Sequence, residues 1–181
     1  MTEHYPSVSL NSSLWNCLFS DETSFNSSAY SSLRNCPIST LILRSGIVQS
    51  ITHDSDILHL FHVTGQFPDL SKYIDARFLI IESCVFSPTQ HPAKIPDWIR
   101  RVSIERTKTG GELPELPDEL TRLHISYTDI NKLPDNLPTK LEALILESNP
   151  GIRELPQLPP NLENLSIVRC SIREIPPVPF S

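Results

Sequence analysis

The sequence predicts a solenoid, in which short repeats of similar sequence stack and each contributes one strand to a parallel sheet. Three segments share the spacing apolar-x-x-Leu-x-apolar and begin 21 residues apart, at Leu120, Leu141 and Leu162. A small polar or thiol residue follows eight positions after each start, at Thr128, Asn149 and Cys170. An apolar residue and then an apolar-Pro pair come next. Because phase, period and residue class recur together, the repeat is a strong signal.

These spacings are typical of leucine-rich repeats, in which one unit cannot bury its apolar edge alone. We count the first residue of a unit as position 0. Side chains at positions 3 and 5 are expected to point inward and those at 2, 4 and 6 outward, since strand side chains alternate between faces. Position 8 is expected to bond main-chain groups where the chain leaves the strand, because such groups are costly to bury unpaired. Proline fixes φ and biases its predecessor towards extended backbone, so the return legs should be extended.

The predicted fold class is therefore an α/β-type solenoid: a leucine-rich repeat with a short parallel sheet on the concave face, an extended convex side and a small helical N-terminal cap. The repeat domain is predicted over residues 36–181, in about seven units that start at 38, 58, 76, 99, 120, 141 and 162. The second unit is read as Leu58-x-x-Phe61-x-Val63. An insertion over 87–94 follows the third unit, and Gly110-Gly111 is interpreted as a loop within the fourth.

Residues 1–35 have a different composition, because serine is frequent and charges are few before Arg34. Two pieces carry apolar residues at helical spacing, 14–19 and 28–35. An open solenoid end exposes apolar surface and needs a cap. We therefore predict that this Ser-rich segment forms one or two short helices that cap the N-terminal end.

Composition argues against several classes of protein. The net charge is −6 and the pI is about 5.5, whereas a nucleic-acid-binding domain usually presents a basic field. No apolar run approaches the roughly 18–20 residues of a membrane span. The start of the chain lacks the basic and apolar regions of a secretory signal peptide. The cysteines show no paired spacing, so thiols are favoured over disulfides, at Cys17, Cys36, Cys84 and Cys170.

No catalytic, metal or cofactor motif is found. The chain contains no G-x-S-x-G, H-E-x-x-H, P-loop or dinucleotide fingerprint, so we predict no catalytic residue, no cofactor and no enzyme activity. His59 and His62 are three apart on a predicted strand and should face opposite sides, which disfavours a metal site. Cys84 and Cys170 stand at position 8, where a hydrogen-bonding role is favoured over a nucleophilic one.

The outward positions of the sheet are the predicted functional surface. Its N-terminal part is apolar, with Ile42, Leu60, Phe78 and Ile80. Charged and polar residues follow on the fourth and fifth units, and we predict that they bind a partner protein that carries an acidic patch: Arg101, Glu105, Arg122, His124 and Tyr127, with Phe78 and Ile80 beside them.

Two alternatives to partner binding stay open for this surface. The Ser-rich segment could fold over the apolar part of the sheet. Arg101 and Arg122 could instead form solvated salt bridges with Glu105 and Glu82.

The proline-containing sequence pattern LPxxLxxLxI resembles the LPX leucine-rich repeats of bacterial type III secretion effectors. It is carried by Leu116–Leu120, Leu137–Leu141 and Leu158–Leu162, and the resemblance is tight over 95–177 and looser over 38–94. In that family a secretion signal and a helical cap precede repeats that bind host proteins. The resemblance therefore implies that 1–35 includes a secretion signal and that the protein acts in virulence, in the host cell cytoplasm, as a non-enzymatic interaction module. The sequence leaves the oligomeric state open, and a monomer is favoured.

Two further functions stay open under this resemblance. Some members of the family add a ubiquitin-ligase domain, whose catalytic cysteine is followed two residues later by aspartate. None of the four cysteines here has that neighbour, and the sequence ends at Ser181 directly after the last unit. The chain could be the substrate-recognition half of such a ligase, with the catalytic domain absent, or a repeat scaffold that stays in the bacterial cytoplasm.

Overall fold

The computed structural model describes residues 40–44, 47–50, 56–87 and 93–177, the first two ranges as backbone alone. The helical cap and the secretion signal predicted within 1–35 lie outside the described residues. The strands are β1 (Thr40–Arg44), β2 (Ile47–Ser50), β3 (Ile57–Phe61), β4 (Thr64–Gly65), β5 (Phe78–Glu82), β6 (Val85–Phe86), β7 (Arg101–Glu105), β8 (Arg122–Ser126), β9 (Ala143–Glu147) and β10 (Asn164–Val168).

One sheet runs through the molecule in the order β10-β9-β8-β7-β5-β3-β1-β2. Its first seven strands are parallel, one for each predicted unit, and the described chain makes about five solenoid turns from β3 to β10. None of the described residues is in an α-helix. The prediction of a parallel solenoid is confirmed. β2 was not predicted: it pairs antiparallel with β1 and so occupies what would otherwise be an open edge.

The strands align residue by residue, so equivalent positions of successive units form rows. Leu123, Leu144 and Leu165 are register partners at position 3, and Ile125, Leu146 and Ile167 at position 5. Leu123, Ile125, Leu144 and Leu146 are fully buried in the core, Leu165 packs against it, and Ile167 on the last strand is half-buried. Return-leg residues complete this core, among them Ile130, Leu133, Leu137 and Ile152. The predicted alternation of inward and outward positions is therefore correct for these units.

The second unit was placed wrongly. Leu58 and Leu60 are the register partners of Leu79 and Ile81, so the unit starts at residue 55 instead of 58. Leu60, predicted to point outward, is fully buried in the core. The residues that take the outward positions are Ile57, His59 and Phe61. The error arose because Leu58, Phe61 and Val63 satisfy the apolar spacing as well as the true set does.

The return legs of the turns are extended and lie side by side. β4 and β6 pair in parallel over two residues, and isolated bridges link Lys94 with Glu115 and Asn136 with Gln157. This arrangement agrees with the extended geometry that the apolar-Pro pairs predict.

Six strands, β3, β5, β7, β8, β9 and β10, are each followed at position 7 by a residue with left-handed backbone. The values of φ lie between 48° and 54° at His62, Ser83, Arg106, Tyr127, Ser148 and Arg169. In the first five of these turns the position 7 N–H donates to the carbonyl at position 6 of the next unit, for example Tyr127 to Glu147 at 3.1 Å. The sharp bend thus extends the sheet hydrogen bonding by one further residue, although none of the six is the glycine that this conformation favours.

Position 8 carries the hydrogen-bonding role that the sequence predicts. Asn149 Nδ2 donates to the carbonyls of Ile125, at 2.8 Å, and Glu147, at 3.0 Å, while its Oδ1 accepts from the N–H of Thr128. Cys84 takes the equivalent place, with its thiol 3.4 Å from the carbonyl oxygen of Leu60. Burial raises the pKa of this thiol to about 11, so it stays protonated and able to donate.

Candidate interaction surface

We name the residues at positions 2, 4 and 6 from β3 to β10 the sheet face, since they lie on the side of the sheet opposite the core. Position 2 is Ile57, Phe78, Arg101, Arg122, Ala143 and Asn164. Position 4 is His59, Ile80, Ser103, His124, Ile145 and Ser166. Position 6 is Phe61, Glu82, Glu105, Ser126, Glu147 and Val168.

The sheet face is buried over much of its length. At position 4, Ile80 and Ser103 are 0% exposed and His124 is 1% exposed. Further along the same row Ile145 and Ser166 are half-buried, and Val168 of β10 is 45% exposed. The more accessible part, which we name the open end, therefore consists of the sheet-face residues of β9 and β10 except Ala143, which is buried.

The structure brings the predicted partner-binding residues together. Phe78, Arg101 and Arg122 are register neighbours on three adjacent strands, and all three are half-buried. The guanidinium carbon of Arg101 lies 5.1 Å from the centre of the Phe78 ring, within the range of a cation–π contact. Binding of a partner by these residues stays a prediction.

Three other predicted site residues are less accessible than expected. Ile80, Glu105 and His124 are each no more than 1% exposed. Tyr127 differs, because it stands at the strand exit and half of it is exposed. In this conformation Tyr127 can meet a partner directly, whereas Ile80, Glu105 and His124 cannot.

An ionic cluster joins β3, β5 and the end of β7, in which His59, Glu82 and Glu105 are buried and Arg106 is exposed. The Glu82 carboxylate accepts from His59 Nε2 at 3.1 Å and from the Arg106 guanidinium, and Arg106 also pairs with Glu105 at 3.0 Å. Burial alone would raise the pKa of Glu82, but the hydrogen bonds from His59 and Arg106 outweigh it and hold the pKa below its usual value. Glu82 is therefore an anion that fixes the side chains of two neighbouring strands.

The sequence interpretation missed Arg106, the residue that pairs with both Glu82 and Glu105. Its partners are a neighbour in sequence and a residue 24 positions away. Arg106 stands at position 7, directly after a position 6 carboxylate. That adjacency is the signal that could have identified it.

Ser103 and His124 form a second polar contact on the sheet face. Ser103 Oγ lies 3.1 Å from His124 Nδ1, and both residues are buried. Burial lowers the pKa of His124 to about 4, so the imidazole is neutral near pH 7. A neutral imidazole that shares a hydrogen bond with serine is far cheaper to bury than an imidazolium. The contact therefore lets two polar residues lie beneath a covered surface.

The described residues contain no group of three or more His, Cys, Asp and Glu side chains placed to hold a metal ion. His59 bonds Glu82, whereas His62 stacks on the Phe61 ring with centroids 4.1 Å apart, so the two histidines do not converge. In the same part of the chain Cys84 and Cys170 are free thiols. Within the described residues no helix is long and apolar enough to cross a membrane.

Searches of protein-family models, curated proteins and solved structures found no match to this chain. What can be inferred about its function therefore comes from its own repeat pattern and from the sheet face.

Proposed function

We propose that this chain is a leucine-rich-repeat interaction module, a type III secreted effector that binds a host protein through the sheet face. The observation that carries the proposal is the single sheet of seven parallel strands in strict register. Parallel sheets normally have both faces covered by helices. A solenoid without helices over its described turns instead presents rows of side chains on a rigid face, and those available to a partner are the half-buried Phe78, Arg101 and Arg122 and the open end.

Three features support the leucine-rich-repeat assignment. Units of 21 residues recur, position 8 bonds the main chain of the preceding unit, and apolar-Pro pairs accompany extended return legs. The LPX repeat pattern over residues 95–177 supports the proposal that the chain is a type III secreted effector.

The chemistry of the sheet face supports a protein as the partner. Arg101, Arg122 and Tyr127 are of the residue types enriched at interface hot spots, because they combine large contact area with directional hydrogen bonds. Two arginines on adjacent strands in a chain of net charge −6 favour an acidic patch on the partner. Near them, Tyr127 and the open end give a partner an accessible first contact.

A secretion assay tests the effector half of the proposal. Residues 1–35 fused to a reporter should pass through a type III apparatus into host cells, whereas a fusion of residues 36–70 should not. A strain that lacks the apparatus serves as the second control. Absence of transfer for 1–35 would remove the effector assignment and leave an interaction module of the bacterial cytoplasm.

A further inference from the structure

The last strand of the sheet, β10, has a neighbour on one side only among the described strands. It pairs with β9, and its second edge is the end of the sheet. Leu165 and Ile167 of β10 stand at the inward positions but are only half-buried, whereas their equivalents on β9, Leu144 and Leu146, are fully buried. An edge strand presents a row of N–H and C=O groups that can pair with another chain. The order of these groups along β10 indicates which chain fits.

The main-chain groups at the free edge of β10 follow from those that already bond β9. Asn164 donates its N–H to β9 and its unit, and the carbonyl of Val168 accepts from the N–H that follows β9. Successive residues of a strand direct these groups to opposite sides. Leu165 and Ile167 therefore present both their N–H and their C=O at the free edge.

Two further groups extend this edge by one residue at each end. In the preceding unit the carbonyl of Glu142, at position 1, accepts from the last unit, and the N–H of Ser148, at position 7, donates to it. The equivalent groups of the last unit are the carbonyl of Glu163 and the N–H of Arg169. The free edge thus begins with an acceptor and ends with a donor.

We propose that the free edge of β10 binds the same edge of a second copy of this chain, antiparallel and about a two-fold axis at Ser166. This register places Leu165 opposite Ile167 of the second copy, and the two residues exchange two main-chain hydrogen bonds. It places Glu163 opposite Arg169 of the second copy, so that the terminal acceptor meets the terminal donor. Each contact occurs twice, because the axis relates the two copies.

The side chains of the strand are self-complementary in the same register. Leu165 and Ile167 stand at the inward positions 3 and 5, so the half-buried apolar side chains of both copies meet on the core side. The side chains of Glu163 and Arg169 are exposed and carry opposite charges, and such cross-strand pairs attract at both ends of the strand.

The other end of the sheet does not offer an equivalent site. It terminates in β2, which runs antiparallel to β1, so a copy added head to tail would not continue the parallel repeat there. A dimer through β10 departs from the monomer that the sequence favours, because a repeat pattern does not show which strand edges stay unpaired.

The dimer has a consequence for recognition. A two-fold axis perpendicular to the sheet joins two eight-stranded sheets into one and keeps both sheet faces on the same side. The two open ends then lie next to each other at the centre of the joined surface, where a partner with two matching sites gains avidity. The inference goes beyond the proposed function and concerns the chain alone, so it holds whether or not the chain is exported.

Analytical ultracentrifugation of the purified full chain tests the inference through charge reversal at the ends of β10. The wild-type mass should rise from 20.4 kDa towards twice that value over roughly 1–200 µM chain. Glu163→Arg opposes two arginines at each end of the strand pair and Arg169→Glu opposes two glutamates, so each should raise the dissociation constant at least about fivefold. Glu142→Arg is the matched control, because Glu142 is the exposed position 1 residue of the preceding unit and should leave association unchanged.

A mixture of the two weakened variants separates this interface from any other. In a mixed dimer each reversed charge faces an opposite one, so equimolar Glu163→Arg and Arg169→Glu chains should associate about as strongly as wild type. A folding defect in either variant would give no such recovery.

Two results would overturn the inference. A wild-type mass of 20.4 kDa over the whole concentration range would mean that the edge stays open or that the chain covers it with its own residues. Association that neither reversal weakens, or that the mixture does not restore, would place the contact elsewhere. Because these measurements need neither a host protein nor a secretion apparatus, their failure leaves the proposed function to be judged separately.

Discussion

Truncation of Leu144 should destabilise the protein far more than truncation of its equivalent one unit later. Leu144 is fully buried, and its register partners Leu123 and Leu165 hold it on both sides. The neighbouring strands limit collapse around the lost atoms, so we expect Leu144→Ala to cost about 3–4 kcal/mol, within the usual range for buried leucine. Leu165 is half-buried on the last described strand, and Leu165→Ala should cost roughly 1–2 kcal/mol because less apolar area is lost.

Urea unfolding followed by far-UV circular dichroism measures these losses, with equal m-values as the check that the transitions are comparable. Glu147→Ala is the surface control: Glu147 is half-buried on the sheet face and should change stability by about 0.5 kcal/mol or less. Equal costs for Leu144→Ala and Glu147→Ala would show that the inward and outward assignments are wrong. Equal losses of unfolding free energy for Leu144→Ala and Leu165→Ala would refute the argument that strands on both sides of Leu144 limit collapse around the lost atoms.

Three further predictions follow from single residues. Asn149→Ala should lower the free energy of unfolding in urea by about 2–4 kcal/mol, since it leaves buried carbonyls and the Thr128 N–H without partners. Asn149→Cys should cost less, because Cys84 stands at position 8 of its own unit and its thiol bonds a main-chain carbonyl there. Ser148 has left-handed backbone, with φ 53°, so Ser148→Gly should change the free energy of unfolding by no more than about 0.5 kcal/mol. Ser148→Val should lower it by about 1–2 kcal/mol, because a β-branched side chain clashes in this conformation. Similar melting temperatures for the two variants would contradict this prediction. Burial lowers the pKa of His124 from 6.5 to about 4, so the folded state favours the neutral imidazole. The contribution of His124 to the free energy of unfolding should therefore be fully present above pH 6.5. It should fall by up to about 3 kcal/mol as the pH drops towards 4. His124→Asn should flatten that dependence, and an unchanged profile would rule out His124 as its source.

The repeat was predictable because each unit carries its own local signal. Leu120, Leu141 and Leu162 fix a 21-residue phase, and strand alternation then assigns every side chain to a face. The start of the second unit was predicted wrongly because its apolar residues fit two repeat phases that differ by three positions. The left-handed residue His62 marks the true end of β3, but histidine gives no sequence signal comparable to glycine at such a turn.

The burial of the sheet face could be predicted only in part. Alternation shows which residues leave the core, and the apolar character of Phe78 and Ile80 suggested a cover. Nothing local to β7 and β8 indicates that Ser103 and His124 are buried as well, because burial on this face depends on tertiary contacts and not on the sequence of one strand. The pairing of Glu82 with Arg106 was missed for the same reason: it joins side chains one unit apart, after the fold has formed.

The sheet face as a recognition surface is the central claim, and paired charge reversals test it most directly. Affinity for the host protein that the chain binds is measured for the wild-type chain and for the double variant Arg101→Glu/Arg122→Glu. The control is the double variant Arg153→Glu/Arg173→Glu, which reverses two exposed arginines outside the sheet. We predict that the first pair weakens binding at least tenfold and slows association, more so at low salt, with little change in melting temperature, while the control binds as wild type does. Unchanged binding by the Arg101/Arg122 pair together with loss in the control would contradict the claim and move the site to the return side.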